Sequence, residues 1–452
     1  MDFFNLKLHN TDLKTEIMSG ITTFVSMAYI LVVNPIILSR CGMEYDGVLV
    51  ATVVSSVFTM LISAFYTKLP IAYAPGLSMN YYFVIIVNLE YGGSWKMALL
   101  ATYLSGIIII AAVCGGWYKK LLGIVPDGIK KAIIAGVGLG ALRSGIHFTY
   151  IFDHSSSLER YNVFGISLTG QTIGLFTAFF AYVIVRKFYR KGALTISLLV
   201  AAIVGILLSV LKKHNIPTEM LEQMAAKAEF SLGAIRNNAF HFPHFSEVFQ
   251  NIGTVHSLII SVFVMTVTHF FDANATITAV LRPVQQDDMN FDPSSIKKSV
   301  FVNGVGSIIS GCAGTSSVTA YTESVVGTTA GGRTGVSTLV TALCFGVSLI
   351  FHDFFKKSES FVMAPALVVS GILITKIIRE VDWHKRIEAV SAAYTFIAIG
   401  LSYDVGKSAL NGIFLYIILN LLAGRKEELK PGWKVAFWIA IENLLVHVFI
   451  HL

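Results

Sequence analysis

Ile71-Ala72-Tyr73-Ala74-Pro75-Gly76-Leu77-Ser78-Met79-Asn80 is the stretch whose reading decides the fold. It is free of charge and flanked by apolar sequence, yet it carries a proline and a glycine where an unbroken helix tolerates neither well. The backbone groups freed there need protein or a cavity to satisfy them if the segment lies in a membrane. The stretch therefore predicts a discontinuous helix. A second stretch of the same character is Gly311-Cys312-Ala313-Gly314-Thr315-Ser316-Ser317-Val318-Thr319-Ala320-Tyr321-Thr322-Glu323, rich in Gly, Ser and Thr and leading into a short apolar segment. Two interrupted segments at matching positions of two halves point to a substrate site near the bilayer midplane. Close helix packing is the other reading of such glycines.

The rest of the chain puts both stretches in lipid. Of 452 residues, 54% are apolar and only 13% charged, with a mean hydropathy of +0.69, which is too apolar for a soluble domain of this size. The apolar residues form blocks: Gly20 to Ser39, Gly47 to Thr67, Met97 to Tyr118 and Tyr161 to Val185 each run without a charge over about the 20 residues that a helix needs to cross roughly 30 Å of hydrocarbon. The alternation of a lipid-facing barrel is missing, so the expected fold is an all-α membrane protein. The formal charge of +7 and pI near 9.0 serve orientation in such a protein and do not point to nucleic acid. Cys41, Cys114, Cys312 and Cys344 lack metal-ligand spacing and read as small packing residues. The first twenty residues carry Asp2, Lys7, Asp12, Lys14 and Glu16 and show no cleavage site, so no signal peptide is expected.

Basic residues fall on alternate loops. Lys119, Lys120, Lys130 and Lys131 follow the fourth span, Arg186, Lys187, Arg190 and Lys191 the sixth, and Arg282, Lys297 and Lys298 the eighth; Lys376, Arg379, Lys385 and Arg386 follow the twelfth, and Arg425, Lys426 and Lys430 the fourteenth. The positive-inside bias then predicts fourteen spans in an inner (plasma) membrane with both termini cytoplasmic. The polar stretch Lys212 to Gly253 divides the chain into seven plus seven, and an odd number of spans inverts the second copy. Trp433 to Leu452 is a further apolar segment that either inserts or lies on the surface.

Charges inside a bilayer cost several kcal/mol and are seldom kept without a role. His269 and Asp272 stand three residues apart in Val264-Met265-Thr266-Val267-Thr268-His269-Phe270-Phe271-Asp272-Ala273-Asn274, on one helical face, and Glu323 follows the second break. Two acids and a histidine can hold a planar polar ligand through charge-assisted hydrogen bonds and take up a proton. The competing reading makes Asp272 a structural cap on a half-helix.

These residues and several motifs resemble the nucleobase/cation symporters of the xanthine/uracil permease superfamily, most closely the AzgA-like adenine, guanine and hypoxanthine branch. The resemblance covers nearly the whole chain and rests on Glu16 to Pro35, on Ala74-Pro75-Gly76 with Asn80, on Phe271-Asp272, on Gly314-Thr315-Ser316 through Glu323-Ser324, on Gly331-Gly332-Arg333-Thr334-Gly335 and on Ala364-Pro365-Ala366-Leu367. It implies a fourteen-helix, seven-plus-seven inverted repeat with broken third and tenth helices. The implied core domain spans 1–118 and 255–355, the gate domain 119–211 and 356–424, with an extracytoplasmic linker at 212–254 and an apolar tail at 425–452. Asn80, Asp272 and Glu323 match the family's binding or coupling residues, and Tyr321 and Thr322 correspond to the uracil branch's tenth-span site. His269 departs from the acid that the purine branch carries three residues before its Phe-Asp, Ser78 replaces the usual Gly, and Ala273, Asn274 and Ala275 replace Thr-x-Gly.

The function expected is proton-coupled uptake of a purine base by elevator-like alternating access. Glu323 anchors the ligand, Asn80 and His269 read its edge, Ser78, Tyr321 and Thr322 line the pocket, and Asp272, Glu323 or His269 titrates. Phe270 or Phe271 stacks on the ring or only packs. The rivals are another planar heterocycle or weak acid, with His269 as the reason, coupling to Na⁺, and a channel, against which stands the lack of filter-like rings. No cofactor or metal is implied, and the motifs of a membrane enzyme are missing. The expected partners are substrate, protons and lipid, with a homodimer through the gate domain implied by resemblance alone.

Overall fold

The computed structural model describes residues 2–88, 94–116, 126–147, 160–163, 166–188, 252–287, 294–351, 375–402 and 405–429, together with the short pieces 196–197, 200–201, 203–205, 240–241, 364–365, 371–372 and 433–434 and the single positions 207 and 368. The chain opens with α1 (Leu13–Met27) and α2 (Ile30–Ser39). Asp12 caps α1 by accepting from the Thr15 N–H at 2.7 Å, and that bond holds its carboxyl below the ordinary value. Pro35 inside α2 removes one backbone donor and crowds the carbonyl a turn before it. The helix adjusts upstream, at Ala28 and Tyr29, where Leu31 N donates to Ala28 O and Val32 N to Tyr29 O, both at 3.1 Å.

Next come α3 (Tyr45–Tyr66), the strand β1 (Tyr73–Pro75), α4 (Leu77–Asn88), α5 (Trp95–Cys114) and α6 (Asp127–His147). Among the described residues, Leu13–Ser39, Tyr45–Tyr66 and Trp95–Cys114 are long and apolar enough to cross a membrane, and they match three of the expected apolar blocks. The fourth block is a correction. Its first residues are not helical: β2 (Arg160–Val163) and β3 (Ile166–Thr169) form an antiparallel hairpin, and α7 (Gly170–Phe188) begins only afterwards. The alternating Ile166-Ser167-Leu168-Thr169 pattern suits a strand, and the Thr169 hydroxyl accepts from Thr172 N at 3.3 Å to start the helix. The second half supplies α8 (Ile252–Asp287), α9 (Ser294–Ala313), β4 (Val318–Ala320), α10 (Ser324–Thr329), α11 (Gly335–Ser348), α12 (Arg386–Ser402) and α13 (Val405–Leu422). Among the described residues the fold is thus helical with two small antiparallel strand pairs rather than purely α.

Both predicted interruptions are extended, and they pair with each other. Tyr73 faces Ala320, Ala74 faces Thr319 and Pro75 faces Val318. Gly76 N donates to Ser317 O at 3.1 Å and Tyr321 N to Ala72 O at 2.9 Å, extending the ladder by a bond at each end. Non-helical backbone at membrane depth survives only when it is satisfied within the protein, and the two breaks satisfy each other. α9 buttresses the pair: Asn303 Oδ1 accepts from Ala320 N at 2.9 Å and Ser310 Oγ from Val318 N at 3.3 Å. Gly314 takes a left-handed φ of 92° at the end of α9, where the chain turns into the break.

Polarity is inverted relative to a soluble protein. Glu16, Asn34, Asn80, His269 and Asn303 are fully buried, whereas Phe58, Phe65, Phe179, Phe180, Leu343 and Ile350 are exposed. That distribution fits a lipid exterior. Helices close in through small residues: a Cβ on Gly106 of α5 would lie 2.6 Å from the Gly304 carbonyl of α9. The Glu16 carboxylate of α1 accepts from Arg333 N at 2.8 Å and from Thr334 N and Ser337 N at 3.1 Å, and also from the Ser337 hydroxyl, tying α1 to the start of α11. The linker 212–254, apart from residues 240–241 and 252–254, the last residues of the apolar tail and the full set of spans lie outside the described residues.

Candidate functional site

The strand pair places two carboxylates near one another. Ser78 lies in the first turn of α4, and its hydroxyl donates to Asp272 Oδ2 of α8 at 3.0 Å. Glu323 immediately precedes α10 but does not cap it with its side chain. Its Oε1 instead accepts from the Tyr29 hydroxyl at 2.7 Å. Tyr321 closes the group: its hydroxyl donates to Pro75 O at 2.7 Å, and its ring lies 6.5 Å from that of Tyr29. The charges of Asp272 and Glu323 are close enough to act on each other and on the Tyr321 phenol. Asp272 and Glu323 are half-buried and Thr322 is exposed, so the acids are open to an entering ligand. The group offers carboxylate oxygens as acceptors, with hydroxyl donors beside them.

Asn80, His269 and Phe270 lie beneath this face. His269 is fully buried, and its Nδ1 meets the Ser307 hydroxyl at 3.0 Å and the Ser317 hydroxyl at 3.1 Å, which are 2.6 Å apart. Its Nε2 has no hydrogen-bond partner among the described residues. Asn80 Oδ1 accepts from the Ser316 hydroxyl, while its Nδ2 is likewise unpartnered among the described residues. The layer continues through Asn34, whose Nδ2 donates to Thr52 Oγ1 at 2.6 Å and Thr315 Oγ1 at 2.8 Å. Phe270 is buried, and its carbonyl accepts from Asn274 Nδ2 at 2.6 Å; the Phe271 side chain lies outside the described residues. Among the residues singled out from sequence, Ser78, Asp272, Tyr321 and Glu323 are brought together, and Asn80 and His269 form the supporting layer. Asp272 accepts from the Ser78 side chain, which is not a backbone cap of a half-helix.

Sequence reasoning passed over Tyr29, Asn34, Ser307 and Ser317. Tyr29 and Asn34 each carried a signal: they are polar positions inside an apolar block, and Asn34 stands one residue before Pro35. Nothing in local pattern separates Ser307 and Ser317 from the many serines that bond their own helix.

A polar interior under an apolar exterior, with paired breaks presenting two carboxylates, defines a multi-pass membrane transporter. The solved transmembrane domain of the cyanobacterial bicarbonate transporter BicA has the same fold, with a TM-score of 0.59 at 16% identity over 88% of this chain and 97% of that one. The chain belongs to the xanthine/uracil permease family, whose model, described as a permease family, matches residues 14–409. It is similar to the guanine/hypoxanthine permease PbuO of Bacillus subtilis strain 168, 28% identical over 95% of this chain and 96% of the relative. It is also similar to the adenine permease AdeP of Escherichia coli K12, 25% identical over 95% of this chain and 92% of the relative. Its relatives are permeases rather than enzymes.

Proposed function

We propose that this permease imports a purine nucleobase together with protons. The observation that carries the reading is the pair of half-buried carboxylates, Asp272 and Glu323, held at the paired breaks by Ser78 and Tyr29. A purine presents ring N–H and amino donors beside ring nitrogen or carbonyl acceptors, and this face supplies the complementary set. The purine permeases among its relatives support the cargo. The burial of His269 beneath the site supports it too, because the residue that departs from the purine branch then acts on the supporting layer rather than on the ligand edge. Either carboxyl can carry the coupled proton, since two acids at close range hold one proton more readily than none.

In this reading, alternating access moves a core built around the strand pair against a gate that includes α6 and α12. Spans around the strand pair form the core domain, while α6 and α12 build the gate, joined by Gly128 N donating to Glu388 Oε1 at 2.6 Å and by a small apolar cluster of Ala132, Val381 and Ala392. The membrane is the inner (plasma) membrane with both termini cytoplasmic, and the gate is the face for a homodimer.

The test is thermal stabilisation of the purified protein across purines, pyrimidines and weak acids, paired with uptake of labelled hypoxanthine, guanine and adenine into proteoliposomes. Glu323→Gln is expected to insert and unfold normally yet lose both the purine-induced shift and uptake. Normal transport by that variant overturns the site; a shift from another class of ligand alone overturns the cargo.

A further inference from the structure

We infer that Tyr29 is a positioning residue of the substrate site: its hydroxyl fixes the Glu323 carboxylate so that one oxygen faces the ligand. The inference rests on the proposed reading of Glu323 as the ligand anchor.

The geometry carries it. Glu323 has helical backbone angles at the head of α10 and no capping bond to that helix, so its own element does not orient the carboxylate. Its side chain accepts a hydrogen bond from Tyr29, at 2.7 Å, from a position 294 residues away in sequence. Tyr29 is itself held rigidly. It is 5% exposed, sits at the local irregularity between α1 and α2, and has its carbonyl engaged by Val32 N and Val33 N. Its ring rests near that of Tyr321, which is pinned to Pro75 O. A rigid phenol that donates to Oε1 leaves Oε2 as the open acceptor and removes most of the rotational freedom that binding would otherwise have to freeze.

The chemistry follows from the donor's type. A phenol donates without adding a charge, so it orients the carboxylate while leaving the site's charge to be balanced by ligand or proton. The groups facing this carboxylate are Tyr29, Tyr321 and Asp272. Removing the hydroxyl therefore leaves the Glu323 carboxylate free to rotate.

Tyr29→Phe preserves ring and volume and tests this directly. Measured as hypoxanthine uptake into proteoliposomes, the variant is expected to raise KM about tenfold while Vmax changes little, the size expected for one hydrogen bond to a charged group. A second measurement does not depend on cargo: infrared difference spectra across a pH titration of wild type, Tyr29→Phe and Glu323→Gln. The carboxyl band lost in Glu323→Gln is expected to lie at a shifted frequency in Tyr29→Phe, because the carboxyl has lost the phenol hydrogen bond. An unmoved band overturns the inference whatever the cargo. A moved band in a protein that takes up no purine keeps the Tyr29 assignment and overturns the purine reading instead.

Discussion

Glu16 is a buried acid, among the described residues, whose role is structural. It has no exposure, and its partners are three backbone N–H groups and a serine hydroxyl at the start of α11. Carboxylates are stabilised at a helix N-terminus, where unpaired amides and the helix dipole converge. Glu16→Ala leaves those donors unpaired in a site closed to water and is expected to destabilise the protein by about 3 kcal/mol, read as a lower unfolding temperature in detergent with substrate affinity unchanged in the folded fraction. An unchanged unfolding temperature would refute the assignment. The contrast with Glu323 was only half legible in sequence. Both are acids in apolar surroundings, but which one is saturated by protein donors and which one keeps an oxygen open depends on segments some three hundred residues away.

At the scale of elements, the breaks announced themselves because Pro75 and Gly76 cannot continue a helix without loss, and because Gly314 to Ser317 lacks helix-forming side chains. Their register did not. Pairing β1 with β4 requires α9 to sit beside both, and that packing rests on glycines whose neighbours sequence does not reveal. Gly106→Leu is expected to force α5 away from α9, since even a Cβ would meet the Gly304 carbonyl at 2.6 Å, and to cost about 1–3 kcal/mol together with most of the uptake. Gly346→Ala in α11 is the control: its Cβ would meet nothing within 4 Å, so stability is expected to hold or rise. Equal losses from both substitutions would mean that glycine flexibility, and not close packing, is what α5 needs. The Tyr161 to Val185 block misled for the opposite reason. Its apolar content suits a strand as well as a helix, and only the hairpin pairing of Arg160–Val163 with Ile166–Thr169 separates the two.

For the whole molecule, the expected outcome is that an inward proton gradient drives purine accumulation by up to about tenfold per pH unit for one proton per substrate. Proteoliposomes with an imposed pH gradient and matched Na⁺ on both sides check this. Accumulation driven by a Na⁺ gradient at equal pH, and by no proton gradient, would assign the coupling to sodium. Asp272 and Glu323 are half-buried and His269 fully buried, so the proposed coupling is assigned to the two acids.

The sequence by itself determined the solvent of this protein, its helical class, the positions of its two interruptions and its family, because hydropathy, proline and glycine act locally and leave their mark in the order of residues. Tertiary structure alone decided that the two interruptions satisfy one another, that Tyr29 and Ser78 hold the two acids, and that His269 belongs to the layer beneath. Those outcomes are hydrogen bonds between residues far apart in the chain, and a buried polar group takes whichever partner the packing brings within reach.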